Sequence, residues 1–168
     1  MCPSFPIQQM KNNAQVIQHL LHDIAYPQAV WKPEPHQWSL LEVINHLVDE
    51  ETLDFTTHLR EVFEGKSWTS IQPTDWVAAH NYEEKDFNAS LQAFLTAREL
   101  SIQWLSVSCT SWNLNMRIDT PFGSIAAGDI LHSWLAHDLL HTRQIIELQY
   151  LYAAEQAAPY QLDYAGAW

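Results

Sequence analysis

His137-Asp138-Leu139-Leu140-His141 decides how this chain is read. The five residues sit inside an apolar-periodic run over residues 125–155 that predicts one long helix. Turning about 100° per residue from Ile130 puts Trp134, Ile145, Leu148 and Tyr152 on one stripe, with His137 and His141 in its middle. The i, i+4 spacing stacks the two imidazoles one turn apart on the helix's most buried face. Polar rings placed there need partners, because an unpaired polar group in an apolar setting costs free energy. A metal ion serves both rings at once. The plain alternative is a pair of core histidines, each satisfied by a backbone carbonyl. A helix supplies two ligands comfortably, so a metal site needs a third from elsewhere in the chain.

The remaining composition narrows the class. A length of 168 residues with 47% hydrophobic content suits a single domain, residues 1–168, with one sizeable core. Four glycines disfavour a turn-rich sandwich and suit long helices. Twenty acidic against eight basic residues give a formal charge of −12, which repels phosphate backbones and anionic membrane surfaces. No apolar stretch approaches the roughly 20 residues needed to span a bilayer. Neither a nucleic acid nor a membrane is therefore expected as a partner. The start of the chain, residues 1–11, has no basic region followed by an apolar run, so no signal peptide is expected. Cys2 and Cys109 make no metal or redox spacing, and a cytoplasmic address fits them better than a disulfide. The eight tryptophans are expected mostly in the core, with some lining a pocket.

Four helices are predicted, at 7–25, 39–63, 84–107 and 125–155, which makes the fold class all-α. In the first, Met10, Ile17, Leu20, Leu21 and Ile24 share a face, while His19 and His22 point away from it. Residues 26–37 carry Pro27, Pro33 and Pro35 and predict an extended connection. The second helix has the clearest start: Ser39 and Glu42 form a capping box, with Trp38 and Val43 as its hydrophobic staple. Its stop is expected near Gly65. Its main stripe is Leu40, Ile44, Leu47, Phe55, Leu59 and Val62; a second stripe holds Val43, His46, Glu50 and Leu53. Two stripes on one helix mean two neighbours, as in a bundle. The third helix carries Phe87, Leu91, Phe94, Arg98, Ile102 and Leu105 along one face. Residues 66–82 predict a long loop with one short turn, and 108–123 a second long connection with at most a short strand over 113–118. Ser124 is the expected N-cap of the last helix. The tail from residue 157, with Tyr160, Leu162, Tyr164 and Trp168, is expected to pack back on the bundle.

For the third ligand the second helix offers His46 and His58. They are 12 residues apart, about 18 Å along a helix, so they cannot hold the same ion. Periodicity prefers His58, which falls on the main stripe; His46 lies on the second, beside Glu50. The chain here resembles the DinB-like superfamily of metal-binding four-helix bundles. The resemblance rests on Trp38-Ser39-Leu40-Leu41-Glu42-Val43-Ile44-Asn45-His46-Leu47, on His137-Asp138-Leu139-Leu140-His141-Thr142-Arg143-Gln144-Ile145, and on the closing Tyr164-Ala165-Gly166-Ala167-Trp168. It implies one histidine about eight residues after the tryptophan, which is His46, acting with His137 and His141 on a divalent ion. It further implies a bundle with two long crossover connections and a homodimer. Relatives include thiol S-transferases and isomerases that use low-molecular-weight thiols.

The expected cofactor is a divalent ion, zinc or nickel, with iron or manganese as alternatives. Three neutral imidazoles leave it an open position, the mark of a catalytic site. Such an ion can activate water, giving a hydrolase, or a thiol, giving a transferase, on a small-molecule substrate. Glu50 and Gln144 are candidate helpers beside the ligands, with an ordinary polar neighbour favoured over a catalytic group for both; Asp138 is expected to point sideways from the ligand face, where it holds a ligand histidine or caps nothing. Two rival readings remain. One is a zincin-like protease, since the stretch is one substitution from H-E-x-x-H. The other is a metal-binding bundle or dimerisation module without catalysis.

Overall fold

The computed structural model describes residues 4–108 and 112–166. Cys2, Cys109 and Trp168 lie outside the described residues. Four rods make the bundle: α1 (Ser4–Leu21), a second rod of α3 (Leu40–Asp49) and α4 (Phe55–Glu64) joined by a π-helical turn (Glu50–Asp54), α6 (Phe87–Ser108) and α7 (Ala127–Gln156). Two short helices, α2 (Tyr26–Val30) and α5 (Pro73–Ala79), sit in the connections. A hairpin of β1 (Arg117–Thr120) and β2 (Gly123–Ala126) precedes α7, paired antiparallel from Arg117↔Ala126 to Thr120↔Gly123. It is an addition to an all-α bundle.

Helices α6 and α7 each pack against α1 and against the α3–α4 rod. The α1 helix therefore stands diagonally from the α3–α4 rod, and α6 from α7. The rods that follow one another along the chain across the connections over 22–39 and 109–126, α1 with the α3–α4 rod and α6 with α7, are thus diagonal partners, which is why the connections between them are long.

Local chemistry sets the ends. Ser39 Oγ accepts the Glu42 N–H at 3.2 Å and Glu42 Oε2 accepts the Ser39 N–H at 2.8 Å, a reciprocal capping box. Gly65 ends α4 in the left-handed region at φ 66°. Asp86 Oδ1 accepts the Ala89 N–H at the start of α6.

The core has two apolar layers. Ile17, Leu21, Leu41, Ile44, Leu91, Phe94, Ile145 and Leu148 make one; Met10, Leu59, Val62, Leu105, Leu131 and Trp134 make the other. Between them lies a buried polar layer. Arg98 on α6 donates from Nε and Nη2 to Glu51 Oε1 at 2.8 and 2.5 Å, and from Nη1 and Nη2 to Asp138 at 2.7 and 2.6 Å. Asn13 Nδ2 donates to Asp138 Oδ2 at 2.9 Å, and Trp134 Nε1 to Glu51 Oε1 at 2.6 Å. All four rods contribute to this layer, which pins their relative heights.

Several expectations need correction. Ser124 is not the N-cap of α7: it lies in β2, and its Oγ accepts from Arg117 Nε at 3.1 Å. The helix instead begins after Ala126, whose N–H is taken by Asp129 Oδ2 at 2.8 Å. Residues 26–37 are not wholly extended, because Pro27 sits in the first turn of α2, where a proline lacks nothing a helix needs. Pro73 starts α5 in the same way. In the tail Tyr160 and Tyr164 project into solvent rather than packing back, while Leu162 is half-buried. Leu53 is 40% exposed rather than on a buried stripe, because the π turn inserts it outward.

Candidate metal centre

His46 comes from α3, one turn before its π end; His137 and His141 come from consecutive turns of α7. Their Nε2 atoms converge. His137 Nε2 is 3.3 Å from His46 Nε2 and 3.1 Å from His141 Nε2, and one ligand atom from each ring lies within 4.8 Å of the others. His58 is not part of this cluster. It is buried on α4, with Nδ1 at 2.7 Å from Asp54 Oδ1 and Nε2 at 2.8 Å from Thr69 O, and its ring stacks on Trp68 at 3.5 Å. Periodicity was right that His58 is buried, but its partners are a carboxylate and a backbone carbonyl.

Burial is the first cause that makes the three clustered rings weak bases. It pushes His46 down to about 3, helped by His141 and His137. It pushes His137 down to about 4, helped by His141. It also lowers His141, against the opposing pull of its hydrogen bond to Gln144. Neutral rings carry the lone pairs a cation requires. Gln144 Oε1 lies 2.8 Å from His141 Nδ1. A proton held there by the amide oxygen leaves the Nε2 of His141 as a lone pair aimed at the cluster.

The proton count tests the fit of a metal. His137 Nε2 has two close Nε2 neighbours and can donate to only one of them. At least one lone pair therefore faces nitrogen with no proton between them. His46 Nδ1 adds a buried nitrogen without a hydrogen-bond partner. A divalent cation among the three Nε2 atoms removes the conflict, so these residues fit one. The donor set is all imidazole nitrogen, which suits zinc, nickel and iron.

Aromatic side chains wall the cluster. Trp38 lies 4.9 Å from His46 and stacks parallel to His141 at 6.3 Å between centroids. Trp76 on α5 lies 6.5 Å from His46, and Phe55 lies 5.3 Å from His137. A cavity of about 370 Å³ reaches His141 and Gln144 between Trp38, Pro33, Leu148 and Leu151. A larger groove of about 760 Å³ between the α3–α4 rod and α6 touches none of the three histidines.

The three candidate helpers divide. Gln144 touches His141. Glu50 Oε1 lies 3.5 Å from His46 Nε2, and burial together with the neighbouring Asp54 pushes its carboxyl up to about 9. Asp138 is committed elsewhere: its carboxylate is fully taken by Arg98 and Asn13. It cannot act as the base of an H-E-x-x-H site, which removes the zincin-like reading. The sequence reading missed Asp54, which lies beside Glu50, and the walls Trp76 and Phe55. A signal for Asp54 was present: His46, Glu50, Asp54 and His58 recur every four residues.

An all-α bundle with crossover connections and an interhelical histidine cluster defines the class. The sequence profile of the DinB superfamily matches residues 9–145, and the chain belongs to that superfamily. Among solved structures it is similar to YfiT from Bacillus subtilis, described as a probable metal-dependent hydrolase with an unusual four-helix bundle topology. The two share a TM-score of 0.75 and 16% identity, over 88% of this chain and 86% of that one. No curated protein matches the chain significantly. No helix among the described residues is long and apolar enough to cross a membrane.

Proposed function

We propose that this chain is a divalent-metal-dependent enzyme in which His46, His137 and His141 hold the ion and a small molecule reaches it beside Trp38. The observation that carries this reading is the convergence of three Nε2 atoms at 3.1 and 3.3 Å with too few protons to satisfy them. An ion bound there supplies Lewis acidity to water, a carbonyl or a thiol. The chain's own residues do the rest. Gln144 fixes the ring of His141, Trp38 and Trp76 shield His46 from solvent, and the cavity along Leu148 and Leu151 seats the apolar part of a substrate.

Hydrolysis is the first reaction to test, given the description of YfiT. Sulfur transfer from a low-molecular-weight thiol uses the same donors and is the second. The assay measures metal content, helicity and turnover of wild type and His141→Ala together, on amide and ester substrates beside thiol–electrophile pairs. The expected result is a folded variant that has lost both metal and turnover. Turnover that survives metal loss refutes the reading. Light scattering on the same samples tests the homodimer that the family resemblance implies.

A further inference from the structure

The stretch from Asp49 to Asp54 carries four carboxylates, and three of them are accounted for. Asp49 Oδ2 accepts from His80 Nδ1 at 2.6 Å and from the Tyr82 hydroxyl at 2.5 Å. Glu51 accepts from Arg98 and Trp134. Asp54 faces His58, whose other ring nitrogen meets the carbonyl of Thr69. Both nitrogens of His58 therefore point at acceptors, which favours the doubly protonated, cationic ring beside Asp54. Glu50 is left. It is 4% exposed, and no Lys or Arg among the described residues pairs with it. Its nearest basic atom is His46 Nε2, already one of the three converging donors.

We infer that Glu50 is a fourth protein ligand of the ion, binding through Oε1. This rests on the three-histidine reading above. The spacing supports it. With bonds of about 2.1 Å, adjacent ligand atoms stand about 3.0 Å apart on an octahedron and about 3.4 Å apart on a tetrahedron. The 3.5 Å from Glu50 Oε1 to His46 Nε2 is the spacing of one adjacent pair of ligand atoms, while the mutual convergence holds the three histidines alone, so the carboxyl has to turn further toward His137 and His141 to join them. Charge supports it too: three neutral rings carry none, and the buried Glu50 carboxyl, on giving up the proton it holds beside Asp54, supplies the counter-charge that a divalent ion needs in a low-dielectric setting. A set of three imidazoles and one carboxylate suits ions that take five or six ligands, namely nickel, iron and manganese, and leaves them positions for substrate. Asp54, which shares a hydrogen bond with Glu50, is a positioning residue, and His58 in turn holds Asp54.

The test titrates metal-free wild type, Glu50→Gln and Glu50→Asp with Ni²⁺, Mn²⁺ and Zn²⁺ against a competing chelator, with helicity and Tm checked for each. Losing a group that merely supports a ligand weakens metal affinity by about 10–100-fold, so losing a ligand is expected to weaken Ni²⁺ binding by more than about 100-fold. Glu50→Asp keeps the charge but is one methylene shorter, and weakens binding as well. The loss is expected to be smaller for Zn²⁺, which is content with four donors including water. Binding by folded Glu50→Gln or Glu50→Asp within threefold of wild type overturns the fourth ligand. If His141→Ala still abolishes binding in that case, the three-histidine centre stands without it. Failure of wild type to bind any of the three ions overturns both.

Discussion

Replacing Arg98 with Met tests whether the buried polar layer holds the bundle together. The guanidinium is 1% exposed and makes four bonds of 2.5–2.8 Å to Glu51 and Asp138, which are themselves almost wholly buried. It also reaches the carbonyl of Met10 at 3.3 Å. Burial raises the carboxyl of Glu51, and Arg98 opposes that rise, so the pair depends on the arginine to stay charged. Met roughly preserves the volume, and the loss is therefore mainly electrostatic. Removing one partner of a buried ion pair costs about 3–5 kcal/mol, because it strands an uncompensated charge. That is a large share of a domain stability of about 5–15 kcal/mol. With a urea slope near 2 kcal/mol/M, the midpoint should fall by about 1.5–2.5 M. The measurement is urea unfolding of metal-free protein followed by far-UV circular dichroism, so that ion binding does not contribute. The triple variant Arg98→Met, Glu51→Leu, Asp138→Leu removes the stranded charges and should recover at least half of the loss. A single-variant shift under 0.5 M, or a triple variant less stable than the single, refutes the reasoning.

Gln144→Leu removes the acceptor on His141 Nδ1 and should weaken divalent-ion affinity by about 10–100-fold with little change in Tm of the metal-free protein; chelator competition checks it, and unchanged affinity rejects the role. For the metal-free protein, His46 at about 3 and His137 at about 4 mean that the unfolded chain takes up protons below pH 6.5 that the folded chain refuses, so their contribution is complete above 6.5 and is lost as pH falls. Glu50 at about 9 acts the other way: the folded chain keeps a proton that the unfolded chain releases above about 4.5, so stability is lost as pH rises toward 9. Stability measured by urea unfolding in excess chelator should therefore peak near pH 6.5, and Glu50→Gln should flatten the decline between 6.5 and 9; a wild-type profile flat over that range contradicts the assignment.

The rods, and the start and stop of the second one, were readable because period and capping chemistry are local. Ser39 and Glu42 announce a helix start within four residues, and Arg98 lies on the apolar face of α6 at the position its spacing gives. The pair on α7 was readable for the same reason, since i, i+4 on a straight helix leaves no freedom of direction. His46 was not readable from period. The second rod is not a single α-helix: the Phe55 N–H bonds to Glu50 O, five residues back, and the wider turn puts Leu53 outside the stripe that a straight helix gives it. Phe55, His58, Leu59 and Val62 are buried as the main stripe predicts, but burial alone does not tell which histidine meets the pair on α7. The packing of the tail was unreadable because tyrosine spacing says nothing about what covers the rings.

That π turn also explains how one short acidic stretch can serve four directions. In a regular α-helix, steps of four residues drift by about 40° each, so His46, Glu50, Asp54 and His58 would spiral away from a common edge. Widening the turn between Glu50 and Asp54 takes back part of the drift and keeps Asp54 beside Glu50. The inserted residue leaves Glu51 aimed at Arg98 in the bundle centre, while Asp49, at the end of α3, reaches His80 and Tyr82 in the connection after α4. A π turn has poorer backbone geometry than an α turn and is kept where side-chain placement offsets that cost. Here the offset is visible: the turn lies one step from His46, and Asp49, Glu51 and Asp54 each reach a different donor. The turn therefore belongs to the construction of the histidine centre as much as to the course of the rod.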